Sequence, residues 1–147
     1  MFDKEVIIRF YSEDDEKYVN KLMQDLCATY NVEFDEQRWR RSLENKIKNS
    51  DSTKMLVAEL EQKVIGMLVA DIRRTNGRTG YISNLIVFPE YRNIGVGEKL
   101  IKSAIDFFKK NHISIVKVNV RAKAKSAKRL FVKLGFLEHI VQFKKDL

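Results

Sequence analysis

The chain has 147 residues, 44% of them hydrophobic, and a formal net charge of +8. That suits one ordinary folded domain over residues 1–147 and argues against a disordered tail. No apolar run approaches the roughly 20 residues of a bilayer span, Met1 to Glu5 show no leader pattern, and the single Cys27 excludes an internal disulfide. The expectation is a cytoplasmic protein whose positive charge favours an anionic partner, either a polyanionic cofactor or nucleic acid.

Val6–Tyr11 reads as a first strand. Ser12, with Asp15 three residues on, forms a capping box, so a helix should begin near Glu13. Tyr18, Leu22, Leu26 and Tyr30 recur every four residues as its buried stripe, with Val19 and Met23 beside it. Asn31–Phe34 breaks the pattern, and a second helix follows from Asp35 with Trp39, Leu43 and Ile47 inward. Asn49–Thr53 is a polar loop. Lys54–Leu60 and Val64–Arg73 are two strands joined by a tight turn at Glu61-Gln62-Lys63. Asn76-Gly77 then predicts a hairpin, since both central residues of a type I′ turn need positive φ. It leads into the strand Tyr81–Phe88.

After Pro89-Glu90-Tyr91 comes Arg92-Asn93-Ile94-Gly95-Val96-Gly97, and then a helix burying Val96, Leu100, Ile101, Ala104, Phe107 and Phe108. Ile115–Val120 is a fifth strand and Ser126–Leu134 a short helix, with Gly135 where a C-terminal cap glycine belongs. Phe136–Phe143 is a last strand. The order β-α-α-β-β-β-α-β-α-β predicts an α/β (α+β) domain with a central mixed, mostly antiparallel sheet flanked by helices.

Two glycines where a loop becomes a helix present unpaired backbone N–H groups at the positive end of a helix dipole, a place for a phosphate or pyrophosphate. Two common glycine loops are excluded. A phosphate loop of the Walker type needs Gly-Lys-Ser/Thr, but Gly97 is followed by Glu98. The dinucleotide fingerprint needs a third glycine where Leu100 stands.

The pattern Leu85-x-Val87-x-Pro89-x-Tyr91-Arg92-x-x-Gly95-x-Gly97 followed by Leu100 resembles the acetyl-CoA loop of the GCN5-related N-acetyltransferases. Ala127-Lys-Arg-Leu130-Phe131-Val-Lys-Leu134-Gly135-Phe136 resembles a second segment of that family, Ala-x-x-Leu-Tyr-x-x-x-Gly-Phe. The spacing of the two matches and the element order agree with the resemblance. It implies transfer of an acetyl group from acetyl-CoA to an amine of a small molecule or peptide by direct attack. Amides from Asn93, Ile94, Gly95, Val96 and Gly97 would hold the coenzyme A pyrophosphate. The backbone of Ile86 and Val87 would pair with the pantetheine arm, Arg92 would support the loop or a phosphate, and Phe131 would pack beside the cofactor. Lys123, Lys125 and Arg129 are candidates for an outer phosphate. The resemblance also makes a homodimer reasonable.

Where family members often carry a tyrosine thought to protonate the leaving thiolate, this chain has Phe131. Many relatives carry a glutamate in the strand before the loop, where this chain has Ser83 and Asn84, and an asparagine of the family is replaced by Ala124. A protonated amine with a pKa near 10.4 is less than about 0.1% neutral at pH 7, so a base is needed; Glu33, Asp35 and Asp71 are the alternatives, and no spacing singles one out. The acceptor site is expected at the break between the first two helices, with Glu33 and Asp35 attracting a cationic amine, although Asp35 and Glu36 are also what a helix start requires. The catalytic group stays open. Cys27 reads as packing, and His112 and His139 have no companions for a metal. The absent tyrosine and carboxylate keep a coenzyme A-binding sensor with little turnover as the alternative function. A nucleic-acid role rests on charge alone.

Overall fold

The computed structural model describes residues 5–74 and 77–147. Five strands form one sheet in chain order: β1 (Ile7–Phe10), β2 (Thr53–Leu60), β3 (Lys63–Arg73), β4 (Thr79–Val87) and β5 (Val116–Val118). The first four are antiparallel to their neighbours, and β5 runs parallel to β4. Helices α1 (Glu16–Thr29) and α2 (Glu36–Ser42) cover one face; α3 (Val96–Lys110) and α4 (Lys125–Lys133) belong to the other. The mixed, mostly antiparallel sheet between helical layers is the architecture that the element order implied.

Alternation along the strands builds two cores. Met55, Val57, Met67 and Val69 point to α1 and α2, where Val19, Leu22, Trp39 and Leu43 meet them. Leu56, Ala58, Leu68 and Ala70 point the other way, against Leu100, Ile101, Ala104 and Phe108 of α3. Val19 and Leu22 are fully buried, so the α1 stripe centres there and not on Tyr18 and Tyr30, which are half-buried. Beyond α2, a π-helical turn over Leu43–Lys48 keeps Leu43 and Ile47 inward.

Helix ends follow one rule. In α1, α3 and α4 the residue after the cap is left-handed (Asn31 at φ 54°, His112 at 60° and Gly135 at 93°). In each, the next amide donates back to the helix: Val32 to Cys27 O, Ile113 to Phe108 O and Phe136 to Phe131 O, all at 2.9 Å. This is the Schellman closure. At α4 it is sealed by Phe136 packing edge-on against Phe131, with ring centroids 5.1 Å apart.

The turn between β2 and β3 consists of Glu61 and Gln62, both at positive φ. In the Asn76-Gly77 turn expected between β3 and β4, Asn76 lies outside the described residues; the two strands are antiparallel partners. Two strand expectations need correction. The fifth strand shrinks to Val116–Val118. Phe136–Phe143 forms no strand: every residue from Leu137 to Leu147 is exposed, and no backbone hydrogen bond ties that segment to the rest of the described chain.

The capping box is present in its reciprocal half, with the Ser12 amide donating to Asp15 Oδ2 at 2.9 Å. It opens a short 3₁₀ turn, Glu13–Asp15, ahead of α1. Arg9 of β1 grips the same carboxylate with both terminal nitrogens at 2.8 Å and also reaches Glu59 of β2. Burial alone would push the Asp15 carboxyl up, but Arg9 and the Ser12 amide outweigh it and hold the carboxyl below its ordinary value. A carboxyl lowered on folding contributes stability above its unfolded pKa, about 4, and loses it as pH falls through the lower folded value. Asp15→Asn should therefore cost about 1–3 kcal/mol at neutral pH and flatten the loss of stability below pH 4, as read by urea denaturation across pH.

Gly80 of β4 lies under α3. A Cβ there would sit 2.7 Å from Phe108 Cδ1 and Cε1, and Phe108 is fully buried. Gly80→Ala should cost about 1–3 kcal/mol by overpacking, and Phe108→Leu in the same chain should recover part of the lost urea midpoint.

Candidate functional site

The pairing of β4 with β5 covers Gly80–Ile82 against Val116–Val118 and stops there, while β4 runs on to Val87. From Ser83 onward the edge of β4 facing β5 has no strand partner among the described residues. The cause lies in β4 itself. Asn84 is left-handed, at φ 52°, and the register with β3 shifts between Met67 and Val69. Ile82, Leu85 and Val87 belong to the α3 core while Ile86 faces the α1 core, so Asn84 is the extra residue of a bulge. Asparagine is among the few residues that enter this conformation at low cost. The sequence marked Asn84 only as a missing carboxylate; its residue type was the one available signal for the bulge.

The strand then delivers the chain to the loop. Pro89–Tyr91 form one 3₁₀ turn, and Tyr91 packs against the core. Arg92 turns back and donates from Nε to Val87 O at 2.9 Å, tying the loop to the end of β4. Of its two expected roles, support of the loop is the one seen. Asn93 and Gly95 are both left-handed, at 64° and 90°. Ile94 at the tip is exposed, and Val96 anchors the start of α3 in the core at 2% exposure. Gly95 caps α3, and its carbonyl accepts from the Lys99 amide. The amides of Gly95, Val96, Gly97 and Glu98 meet no acceptor among the described residues, as a helix start dictates.

Gly97 is the informative glycine. It sits in the first helical turn, where glycine costs up to about 1 kcal/mol relative to alanine. A Cβ there would meet only Leu130 Cδ2, at an ordinary 3.4 Å. The fold has room for a side chain and does not use it. Leu130 and Phe131 come from α4, which lies beside this loop. Glu98, the one acid in the first turn of α3, is drawn to Lys133 of α4 at 3.3 Å and to Lys102 at 3.8 Å. Lys123 and Lys125 are exposed and their side chains have no partner among the described residues, and Arg129 reaches Ser126 at 3.4 Å. Phe131 is buried against Phe136, so it is core as well as a neighbour of the loop.

The break between α1 and α2 forms a shallow recess lined by Glu33, Phe34, Asp35, Glu36 and Arg38. Asp35 caps α2, accepting from the Arg38 amide at 3.0 Å. Glu36 pairs with Arg40, while Glu33 is exposed and unpaired among the described residues. Arg121, beyond β5, stacks over the Tyr30 ring at 4.4 Å and ties the end of α1 to the segment leading into α4. The sequence held no signal for that bridge. Asp71 is committed elsewhere: Thr53 donates to it at 2.6 Å and Arg73 at 2.9 Å. Trp39 is buried and donates to Asn20. Cys27 is buried. Among the described residues no group of three or more His, Cys, Asp or Glu side chains could hold a metal, and no helix is long and apolar enough to cross a membrane.

Because the fold has room at position 97, Gly97→Ala should leave thermal stability unchanged or raise it by up to about 1 kcal/mol through helix propensity.

Comparison with known proteins places these features in context. Residues 19–136 match the Acetyltransferase (GNAT) family. An uncharacterised N-acetyltransferase of Methanocaldococcus jannaschii is 27% identical over 109 residues, 71% of this chain and 48% of that protein. The chain thus spans about half the length of that curated relative. Among solved structures, a transcriptional regulator from Bacillus halodurans superposes with a TM-score of 0.84 at 19% identity, covering 97% of this chain and all of the other. A predicted acetyltransferase with acetyl-CoA from Clostridium acetobutylicum gives 0.81 at 16% identity, covering 97% and 96%. An aminoglycoside N-acetyltransferase in complex with CoA gives 0.81 at 18% identity, covering 99% and 98%.

Proposed function

The chain belongs to the acetyltransferase (GNAT) family, and from that premise we propose that it moves an acetyl group from acetyl-CoA to an amine of a small molecule or peptide. The observation that carries this reading is the loop before α3. Four unpaired amides, Gly95 to Glu98, stand at a helix start next to the free edge of β4, and Gly97 leaves open a space that the fold could fill. Amides at a helix N-terminus suit a pyrophosphate. Asn93 and Ile94 would complete that cradle, with Arg92 holding it to the strand. The edge of β4 at Ile86 and Val87 that faces away from β3 would align the pantetheine arm, with Phe131 packing near it. Acetyl-CoA supplies an activated acyl group on a thiol of moderate pKa, so its displacement by an amine needs no covalent enzyme intermediate. The acetyl-CoA and CoA carried by two of the structural neighbours support this choice of donor.

The acceptor would approach from the α1–α2 face, where Glu33 is unpaired among the described residues and Asp35 adds negative charge. A carboxylate close to an ammonium raises its pKa and so opposes loss of the proton that attack requires. Holding and activating one and the same amine are therefore in conflict. An acceptor with two or more amines resolves it, one resting at the recess while another reaches the bulge at Ser83 and Asn84. The second reading, a coenzyme A sensor with little turnover, is favoured by the commitment of Asp71 to Thr53 and Arg73 and by phenylalanine at position 131.

Calorimetry with acetyl-CoA should show binding tighter than millimolar, and Gly97→Glu should abolish it while the circular dichroism spectrum is kept. Thiol release should then be faster with polyamines and aminoglycosides than with monoamines or peptides. Binding that survives Gly97→Glu would refute the loop assignment. Binding without thiol release from any amine would favour the sensor.

A further inference from the structure

We propose that the face of the Tyr30 ring is the seat for a resting ammonium group of the acceptor, and that Arg121 occupies this seat until the acceptor displaces it. The Arg121 guanidinium lies over the ring, 4.4 Å from its centroid. The other cations over rings among the described residues sit next to them in the chain or on the neighbouring strand: Lys17 on Tyr18, Lys54 on Phe10 and Arg73 on Tyr81. Arg121 instead reaches from the segment after β5 to the end of α1. Its side chain is exposed and makes no hydrogen bond or ion pair among the described residues, while Tyr30 is half-buried. The ring therefore holds a cation by a single contact of a kind that is weak at exposed sites and readily exchanged. Glu33, three residues on, is exposed and unpaired among the described residues. A ring that takes a cation and a carboxylate that lacks one thus come from one short stretch of chain, beside the recess that Glu33 lines.

The fold explains where this seat lies. Helix α1 begins where β1 ends, and the end of β1 lies with the start of β2, the end of β3 and the start of β4. Its 14 residues rise about 21 Å over β3 and β4, on which it packs. Tyr30, the C-cap, therefore comes out toward the later part of β4, and the left-handed Asn31 closes the helix there. From the other side, pairing of β5 with β4 ends at Val118 and Ile82, and Arg121 stands three residues further on. The stack joins the two elements past the point where pairing stops. An acceptor that leaves one ammonium on Tyr30 can extend a second amine toward Ser83 and Asn84. What that second amine does rests on the acetyl-transfer reading; the seat itself does not. An exposed contact of this type keeps Arg121 on the ring about two to five times as often as off it. A competing cation binds with its affinity reduced accordingly.

The test is calorimetry of 1,4-diaminobutane with the full chain, alone and loaded with coenzyme A, which carries no acetyl group to transfer. Arg121→Gln should tighten diamine binding about three- to sixfold, because the seat is then always open. Tyr30→Leu alone should change little, since seat and occupant are lost together. Added to Arg121→Gln, Tyr30→Leu should remove the gain, whereas Tyr30→Phe, which keeps the ring, should retain it. Coenzyme A affinity should stay the same throughout. A gain that survives Tyr30→Leu would overturn the proposal, because removal of a positive charge would then explain it without the ring. So would weaker diamine binding in Arg121→Gln, which would make the stack a brace for the recess, or weaker coenzyme A binding, which would place Arg121 on the donor. Failure of every form to bind the diamine would overturn it as well. The expected pattern without thiol release from acetyl-CoA would keep the seat and remove the transferase reading; thiol release without the pattern would do the reverse.

Discussion

Two parallel strands share three register pairs and then separate, and most of what distinguishes this molecule is arranged around that separation. A parallel pair held in register would bury the edge of β4 to its end. Here the left-handed Asn84 inserts an extra residue, changes the strand's direction and flips which side chains reach which core. The strand survives because β3 still pairs with Ile86 and Val87 on the other side, and because Arg92 takes up the Val87 carbonyl that the lost ladder would have satisfied. The bulge, the arginine and the left-handed loop at Asn93 and Gly95 are one device. It frees a strand edge and presents a helix start beside it.

What could be read from the sequence follows the same physics. Apolar periodicity located α1, α3 and the strands β1 to β4, because burial on one face is written directly into residue order. The loop Arg92 to Gly97 was legible because glycine is a conspicuous marker of positive φ. Of the three Schellman ends, only that at Gly135 could be anticipated. At the other two the left-handed residues are Asn31 and His112, side chains with other common uses. The Glu61-Gln62 turn shows the same limit: neither residue favours positive φ, and the short connection between two paired strands imposes it. Asn84 was hidden for this reason too. As for the site, the loop proposed to hold the cofactor stands out by its motif spacing, whereas the Tyr30–Arg121 bridge joins residues far apart in the chain with no local pattern.

The last strand was misjudged in an instructive way. Composition gave Phe136–Phe143 the residue types of a strand, and no strand forms there. A preference says nothing about which edge receives the strand, and within one copy none does. Propensity is local, pairing is not. An isolated extended segment with large exposed apolar side chains is a liability that natural proteins cover, so the mismatch between a strand-forming sequence and an unpaired segment is itself informative.

Charge is divided in a way the net value of +8 conceals. Several acids are committed to nearby bases: Asp15 and Glu59 to Arg9, Glu44 to Lys48, Asp71 to Arg73, and Glu98 to Lys133. Such pairs contribute little to the outer field, so the field comes from groups left over. On the α4 side those are the cations Lys123, Lys125 and Lys128, next to the positive end of α3. In the α1–α2 recess Glu33 is unpaired among the described residues, beside Asp35, and Arg38 lines the same recess. Under the proposed acetyl transfer, the cations beside the start of α3 suit a phosphate-bearing donor, and the free carboxylate of Glu33 suits a cationic acceptor.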